Sequence, residues 1–198
     1  AYSIANTPRP DGELVLQVAR AEGGITSNWI HDQLQPGARL ALAGAYGSFI
    51  GDPSVDTPVL CLAAGTGLAP ILALTEAALR RGFRQPVSVV FSARTQADVF
   101  GQGLMAWWCA RHPGFDYRIT LTRERQHGYL AGRIRAVLPG LFSDLSKHTV
   151  FAAGSPDFVA SCVNAVKALG ARPELIHTEA FFARQPPVVP DADPRRAL

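Results

Sequence analysis

Short apolar runs alternate with longer helix-like patterns along the second part of the chain. The runs have strand length, and in the stretches between them apolar residues recur at the spacing of one helix face. The predicted strands are residues 59–63, 87–91, 118–121, 150–152 and 175–177, and the predicted helices are residues 71–81, 104–111, 134–138 and 158–169. This alternation predicts an α/β fold, a doubly wound parallel sheet with helices on both faces and ligands at the carboxyl ends of the strands.

The first part of the chain shows the shorter period of a β-strand. Apolar residues alternate with polar or small ones over residues 13–19, which predicts a half-buried strand, and residues 39–43 are predicted to form another. Between them, Ser27 is placed to cap a short helix that reaches Leu34. So few elements cannot close a barrel, and we expect this part to be a fragment of a domain whose other strands are missing.

Polar, turn-forming residues at 51–54 mark a change in composition between the two parts. We therefore expect one domain over residues 1–54, a second over residues 55–183, and a frayed tail, rich in proline and charge, over residues 184–198. A chain of 198 residues with 47% hydrophobic content is long and apolar enough to bury a core.

The net charge of +3 and the sequence pI near 9.0 come from scattered arginines rather than from a basic run. This distribution does not favour a nucleic-acid partner, and an acidic protein or an anionic cofactor fits it equally well. Apolar stretches are interrupted well before the roughly 18 residues of a membrane span, and no secretory signal pattern is visible. We therefore expect a cytoplasmic protein with no membrane partner.

The three cysteines and five histidines lack the spacing of a metal site. Cys61, Cys109 and Cys162 form neither a C-x-x-C pair nor an iron–sulfur pattern, which indicates that this chain carries no cluster of its own. They are interpreted as small hydrophobic residues in a reducing compartment. No metal ligand is assigned.

Residues 63–70 read Ala-Ala-Gly-Thr-Gly-Leu-Ala-Pro and join a predicted strand to a predicted helix. Gly65 and Gly67 allow a positive φ angle and a close backbone approach, and Pro70 suits the first turn of a helix. Amides at the start of such a helix bind a pyrophosphate group well. A tight strand-to-helix turn without a ligand explains the same residues, so the glycines alone leave both interpretations open.

Six short motifs, taken in order, resemble those of the ferredoxin–NADP reductase family, and in particular the reductase components of bacterial multicomponent, ring-hydroxylating oxygenases. They are residues 2–6 (the second half of the Arg-x-Tyr-Ser flavin motif), 24–27 (flavin pyrophosphate), 44–49 (the Gly-Pro-x-Gly-x-Phe turn), 65–70 (nicotinamide nucleotide), 128–134 and 179–181. The resemblance covers residues 1–181. It implies that part of an antiparallel β-barrel flavin domain precedes the nucleotide-binding sheet, and that the cofactors are FAD with NADH or NADPH.

The resemblance assigns the flavin to the N-terminal motifs. Tyr2 would stack on the isoalloxazine ring, Ser3 would hydrogen-bond the N5 edge where the hydride arrives, and Ile4 would lie in the same segment. The FAD pyrophosphate is assigned to Gly24, Ile25, Thr26 and Ser27. Local sequence alone favours the start of a strand for Tyr2 and Ser3, and fits an ordinary N-cap at Ser27 equally well.

The resemblance assigns the nicotinamide nucleotide to the sheet. The residues are Gly65, Thr66, Gly67 and Pro70, then Ser92 and Arg94, then Gly154, Ser155 and Pro156, and finally Phe181. Ser92 and Arg94 follow the second strand, where the adenosine ribose would lie, and no acidic residue stands there to bind both ribose hydroxyls. An arginine tolerates a 2′-phosphate, so NADH and NADPH both remain open, and a solvated loop arginine explains the same residue.

Ser3 and Phe181 are the residues assigned to catalysis. Phe181 would cover the flavin beside the nicotinamide, although a core aromatic after the last strand is the alternative. Three positions depart from the family pattern. The Arg that precedes Tyr2 in the family motif is absent, so we expect an N-terminally truncated chain. Ala153 stands where many members have Cys, and Ala45 replaces the Pro of the flavin-domain turn.

The implied activity is hydride transfer from NAD(P)H to FAD, followed by single-electron transfer to an iron–sulfur protein of an oxygenase system. That partner is a separate ferredoxin or a fused ferredoxin domain. Two alternatives stay open: a nucleotide-binding or interaction module without turnover, and the reductase half that serves a haem domain. Retention of flavin separates the reductase from the module.

Overall fold

The computed structural model describes residues 1–52, 54 and 56–182. The strands are β1 (Val59–Ala64), β2 (Val87–Ala93), β3 (Phe115–Leu121), β4 (Leu130–Ala131), β5 (Thr149–Gly154) and β6 (Ile176–Ala180). The helices are α1 (Ile25–Asp32), α2 (Leu68–Arg80), α3 (Gln102–Arg111), α4 (Ile134–Leu141) and α5 (Pro156–Ala168), with short 3-10 helices at Gly65–Gly67, Gln96–Asp98 and Pro173–Leu175. The strands form one six-stranded parallel sheet in the order β4-β3-β2-β1-β5-β6. The predicted α/β class is confirmed.

Different helices cover the two faces of the sheet. Helices α2 and α3 pack on one face, where Ile71, Met105 and Trp108 are buried. Helices α4 and α5 pack on the other, where Leu138 and Val166 are buried. The four central residues of β1 are all buried, which explains why this strand has a continuous apolar run instead of an alternating one.

Every strand and helix predicted in the second part is present, with shifted ends. No end moves by more than three residues; β3, for example, begins at Phe115 although the sequence predicted residue 118. This strand pairs with β2 along its whole length but with β4 only at Thr120 and Leu121. Phe115 is buried, but residues 116–118 are half-buried or exposed and include Asp116 and Arg118, so the continuous buried run begins only after them. The two-residue strand β4 was not predicted, because so short a segment has no period of its own.

The two strands predicted in the first part do not form in the described residues. The pairing found there is a single antiparallel bridge between Ile4 and Leu16. A strand needs a hydrogen-bonded partner, and the side chains of residues 39–43 lie open to solvent, Leu40 at 51% and Leu42 at 65% exposure. Alternating apolar and polar residues favour a strand, but a strand forms only where a neighbouring strand pairs with it.

Helix α1 begins earlier than predicted and ends before Leu34. Gly24 occupies the N-cap position, so the prediction that Ser27 caps the helix is wrong. Ser27 is buried inside the first turn, where its Oγ atom accepts a hydrogen bond from the Ala21 amide at 3.1 Å and donates one to the Gly24 carbonyl at 3.3 Å. The Ser27 hydroxyl therefore hydrogen-bonds backbone groups that precede the helix, and it does not cap the first amides of the helix.

The end of the first part of the chain packs on the sheet. The Phe49 ring contacts the Phe151 ring edge to face, with the centroids 5.5 Å apart.

No helix within residues 1–52, 54 and 56–182 has both the length and the apolar character needed to cross a bilayer. The tail predicted over residues 184–198 lies outside the described residues.

Candidate functional site

The loops that follow neighbouring strands meet at the carboxyl edge of the sheet. Ser92 pairs with Ala64 at the end of β1, and Ala180 pairs with Gly154 at the end of β5. Because β1 also pairs with β5, the ends of β2, β1, β5 and β6 form one row. This row brings together the predicted groups at residues 65–67, 92–94, 154–156 and 181. The carboxyl edge is where parallel sheets of this kind bind ligands.

Gly65 and Gly67 serve different purposes in the first of these loops. Gly65 has φ +53°, and a Cβ atom on it would meet nothing within 4 Å, so this glycine makes the turn and leaves the surface open. A Cβ atom on Gly67 would lie 2.1 Å from the carbonyl oxygen of Ala153. Gly67 therefore allows the turn to pack against the end of β5, and its own φ is −58°.

The first turn of α2 carries no negative charge. Pro70 lies in this turn as predicted, and the turn has neither a side-chain cap nor an acidic residue. Gly65 is exposed and Thr66 is half-buried, whereas Gly67 and Pro70 are buried. A ligand can therefore reach Gly65 and Thr66, and the positive end of the helix dipole favours a phosphate group there.

The loop after β5 borders the same surface. The Ser155 Oγ atom caps α5 by accepting a hydrogen bond from the Phe158 amide at 3.4 Å, and Pro156 is the first residue of that helix. A Cβ atom on Gly154 would lie 2.8 Å from the Phe158 ring, so a side chain does not fit there. The Gly154 carbonyl accepts a hydrogen bond from the Phe181 amide at 2.8 Å. The predicted group at 154–156 is therefore in direct contact with Phe181.

Ser3 reaches this edge from the other end of the chain. Its Oγ atom donates a 2.9 Å hydrogen bond to Oε1 of Glu179, a residue of β6. The adjacent Tyr2 keeps 38% of its surface exposed, and Ile4 is held by its bridge to Leu16. The predicted flavin segment is thus attached directly to the edge that carries the predicted nucleotide groups.

Ser92 and Arg94 lie at the end of β2 with different exposure. Ser92 is buried at 9% exposure, whereas the Arg94 side chain is 64% exposed. The Arg94 guanidinium donates to Asp98 at 3.0 Å, and Asp98 also accepts hydrogen bonds from the amide and hydroxyl of Thr95. Hydrogen bonds from Arg94 and Thr95 outweigh desolvation and hold the pKa of the Asp98 carboxyl below its ordinary value. Asp98 therefore stays ionised and orients Arg94 beside the edge.

The group at residues 24–27 lies on α1, whose hydrogen bonds run to residues 18–21 and not to the carboxyl edge. Ile25 is 87% exposed and Thr26 is also exposed, so the start of this helix is open to solvent. The Ser27 hydroxyl is already engaged inside the helix. A pyrophosphate role for these four residues remains a prediction. Because the Ser27 hydroxyl is engaged, the backbone amides at the start of the helix are the groups that could bind the phosphate.

Two carboxylates that sequence analysis did not assign hold the N-terminal segment. Glu179 accepts from Ser3, and Oε2 of Glu76 accepts from both the amide and the hydroxyl of Thr7, at 2.7 and 2.9 Å. Glu179 belongs to the 179–181 motif, which was a usable signal. Glu76 has no such signal, because its partner lies 69 residues away in the sequence.

The residues present fit both a dinucleotide and a flavin. The open turn at Gly65 beside a helix start without acidic residues accommodates a pyrophosphate, and the exposed Tyr2 ring is available for stacking. A separate cleft of about 530 Å³ lies at the opposite, amino edge of the sheet, with Lys147 and Arg172 in its lining. It shares none of the predicted site residues.

Comparison with known proteins agrees with this geometry. The family model of the oxidoreductase NAD-binding domain matches residues 61–164. The chain is 28% identical over 182 residues to the ferredoxin–NAD(P)(+) reductase component of the naphthalene 1,2-dioxygenase system of Pseudomonas putida, with 91% of this chain and 55% of the relative covered. It is 32% identical over 184 residues to the aromatic O-demethylase reductase subunit of an Amycolatopsis strain, with the same coverage of 91% and 55%.

A solved structure gives the same result. The crystal structure of an Amycolatopsis cytochrome P450 reductase has a TM-score of 0.80 and 30% sequence identity, and the match covers 91% of this chain and 55% of that one. The chain therefore spans about half the length of the curated relatives it matches. The resemblance seen in the six motifs is confirmed, and the chain belongs to the family of oxidoreductase NAD-binding domains.

Proposed function

We propose that this chain is the nucleotide-binding half, with part of the flavin-binding half, of a reductase that moves a hydride from NAD(P)H to FAD. From there single electrons pass to an iron–sulfur ferredoxin, separate or fused, that serves an oxygenase. In this proposal residues 1–54 belong to the flavin domain and residues 55–183 form the nucleotide domain. The reductase names of the relatives and the matched family support it.

The observation that carries the proposal is the hydrogen bond from Ser3 to Glu179. It joins the segment with the flavin motif to the last strand of the sheet, at the edge where Gly65, Thr66 and Gly154 also lie. A hydride moves over a distance of about 3–3.5 Å between reacting atoms, so a reductase must hold its two cofactors against each other. A chain with a nucleotide edge alone has no need for this connection.

The residues of this chain would each act by binding or orienting. Gly65 and Thr66 would receive the dinucleotide pyrophosphate, and Phe181, half-buried beside Gly154, would lie over the place where nicotinamide and flavin meet. FAD, when bound, supplies a centre that accepts two electrons together and releases them one at a time. The Ser3 hydroxyl donates its hydrogen bond to Glu179, so its Oγ atom is left to accept a hydrogen bond from a donor on the flavin edge.

The test is to purify the chain with added FAD, remove free flavin by desalting, and follow flavin absorbance under anaerobic conditions as NADH and then NADPH is added. Retained flavin that is bleached by either nucleotide is the expected result. A folded chain that binds NAD⁺ but neither retains flavin nor bleaches flavin supplied in excess would contradict the reductase proposal for this chain and favour a nucleotide-binding module. The nucleotide that bleaches faster gives the cofactor preference.

A further inference from the structure

Glu76 lies in the middle of α2, the helix whose first turn borders the nucleotide edge. Its carboxylate is used at both oxygens. Oε2 accepts from the Thr7 amide at 2.7 Å and from the Thr7 hydroxyl at 2.9 Å, and Oε1 pairs with Arg80 at 2.9 Å. The Glu76 side chain is 18% exposed, so these donors replace most of its hydration.

Thr7 belongs to the same short segment as the predicted flavin residues Tyr2, Ser3 and Ile4. This segment is fixed to the sheet domain at two points, Ser3 on β6 and Thr7 on α2. Between the two points Ala5 is buried at 6% exposure, and its amide donates to the Val15 carbonyl at 2.9 Å. One point alone would leave the segment free to pivot, whereas two points set its direction.

We propose that Glu76 is a positioning residue that fixes the segment of residues 3–7 relative to the nucleotide edge, and thereby sets the approach of flavin to nicotinamide. The effect on flavin and nicotinamide rests on the proposed function, whereas the clamp, the attachment of residues 3–7 through Glu76, does not. Helix α2 connects the nucleotide turn to Glu76. The turn at Gly65 to Gly67 leads directly into this helix, and Glu76 projects from it. A shift at Glu76 is therefore a shift of the flavin segment against the nucleotide turn.

The carboxylate is the group best suited to this role. Burial alone would raise the pKa of Glu76, but the two hydrogen bonds from Thr7 and the nearby Arg80 outweigh it and hold the pKa below its ordinary value. The side chain is thus ionised at neutral pH. A glutamine keeps one oxygen for Thr7 but faces Arg80 with an amide, and a methionine of similar length offers no strong acceptor to either partner.

The test compares Glu76→Met, Glu76→Gln and Thr7→Val in the full chain by amide hydrogen exchange at residues 5 and 7. Loss of a hydrogen bond to a charged group corresponds to a change of roughly ten- to a hundredfold in an equilibrium, so Glu76→Met should speed exchange at least about tenfold at both amides. Thr7→Val should show a smaller rise at residue 5, and Glu76→Gln should keep most of the protection of the unaltered protein. Glu174→Gln, which changes an exposed carboxylate paired with Arg172, is the matched control and should change nothing here.

Two further readouts connect the clamp to the reaction. Affinity for NAD⁺ alone should stay within about twofold in every variant, while the rate of flavin bleaching by NADH should fall about tenfold in Glu76→Met. Unchanged exchange at residues 5 and 7 would overturn the clamp, and an equal loss of NAD⁺ affinity would show that Glu76 supports the nucleotide turn instead. If the unaltered protein fails to bleach, the proposed function is wrong, and the exchange data still decide whether Glu76 holds the segment.

Discussion

Ser3 Oγ and Glu179 Oε1 are 2.9 Å apart although the two residues are 176 positions apart in the sequence. The hydroxyl has one proton, and that proton lies on the line to Glu179. The hydrogen bond therefore orients the remaining lone pairs of Ser3 away from the carboxylate. A group that approaches Ser3 at this edge meets an acceptor whose direction is already fixed.

Replacing Ser3 with alanine is expected to slow the reduction of bound flavin by NADH roughly ten- to a hundredfold, the range for one lost hydrogen bond to a charged group. NAD⁺ affinity should change little, because Ser3 lies on the flavin segment and not on the nucleotide turn. Anaerobic stopped-flow absorbance measures the rate, and Ser3→Thr, which keeps the hydroxyl, is the control. An unchanged rate in Ser3→Ala would remove this residue from the catalytic assignment.

Gly67→Ala is expected to destabilise the protein by about 3 kcal/mol, the upper part of the range for overpacking. The new Cβ atom would lie 2.1 Å from the Ala153 carbonyl oxygen, so the turn and the end of β5 must separate. Urea unfolding measures the change in free energy, and titration with NAD⁺ should show weaker binding. Gly103→Ala is the matched control, since a Cβ atom there meets nothing within 4 Å and stabilises α3 by up to about 1 kcal/mol. Equal midpoints for the two variants would contradict the close packing at Gly67.

The sheet could be predicted from the sequence because its central strands are buried on both faces. Val59, Leu60 and Leu62 belong to a run that is apolar without interruption, and such a run between turn signals has few alternatives in an α/β chain. The strand predictions at 13–19 and 39–43 rested on alternation alone. Alternation describes which side of a strand would be buried, but the strand exists only when a partner is beside it.

Long-range partners explain what the sequence could not show at the site. The two glycines of the nucleotide turn look equivalent in sequence. Only Gly67 must lack a side chain for reasons of space, because the carbonyl of Ala153, a residue of β5, lies against it. Glu76 likewise reads as one of many helical carboxylates until Thr7 is placed beside it. Residues whose role depends on local backbone, such as Pro70 in the first helical turn, were predicted correctly.

Arg94→Ala is expected to lower kcat/KM for NADPH about tenfold relative to NADH, because a guanidinium at this position can pair with the 2′-phosphate that NADPH alone carries. The side chain is 64% exposed and held beside the edge by its 3.0 Å contact with Asp98, so it is free to meet a second anion. Initial rates with both nucleotides give the ratio. Arg118→Ala, which changes an exposed arginine paired with Asp116, is the control. Equal losses with NADH and NADPH would place Arg94 outside the 2′-phosphate contact.

The three cysteines are expected to differ sharply in reactivity. Burial raises the pKa of the Cys61 thiol to about 12, and burial also raises the pKa of the Cys162 thiol to about 12. Cys109 is exposed on α3. At about pH 8, an alkylating reagent should therefore modify Cys109 in the folded protein and all three cysteines in urea, because the thiolate is the reactive form. Mass spectrometry of the digested protein locates the label, and early modification of Cys61 would contradict the burial of β1.

Glu76 is expected to make stability depend on pH below the ordinary titration range of a glutamate. Burial would raise its pKa, but the hydrogen bonds from Thr7 and the charge of Arg80 lower it below the ordinary value of 4.5. A carboxyl with a lowered folded-state pKa contributes stability that is fully present above about pH 4.5 and is lost as the pH falls through the folded-state value. Urea midpoints measured from about pH 7 down to about pH 3 should therefore fall more steeply in the unaltered protein than in Glu76→Gln, which cannot titrate there. Parallel curves for the two proteins would show that the carboxylate at residue 76 is not linked to folding.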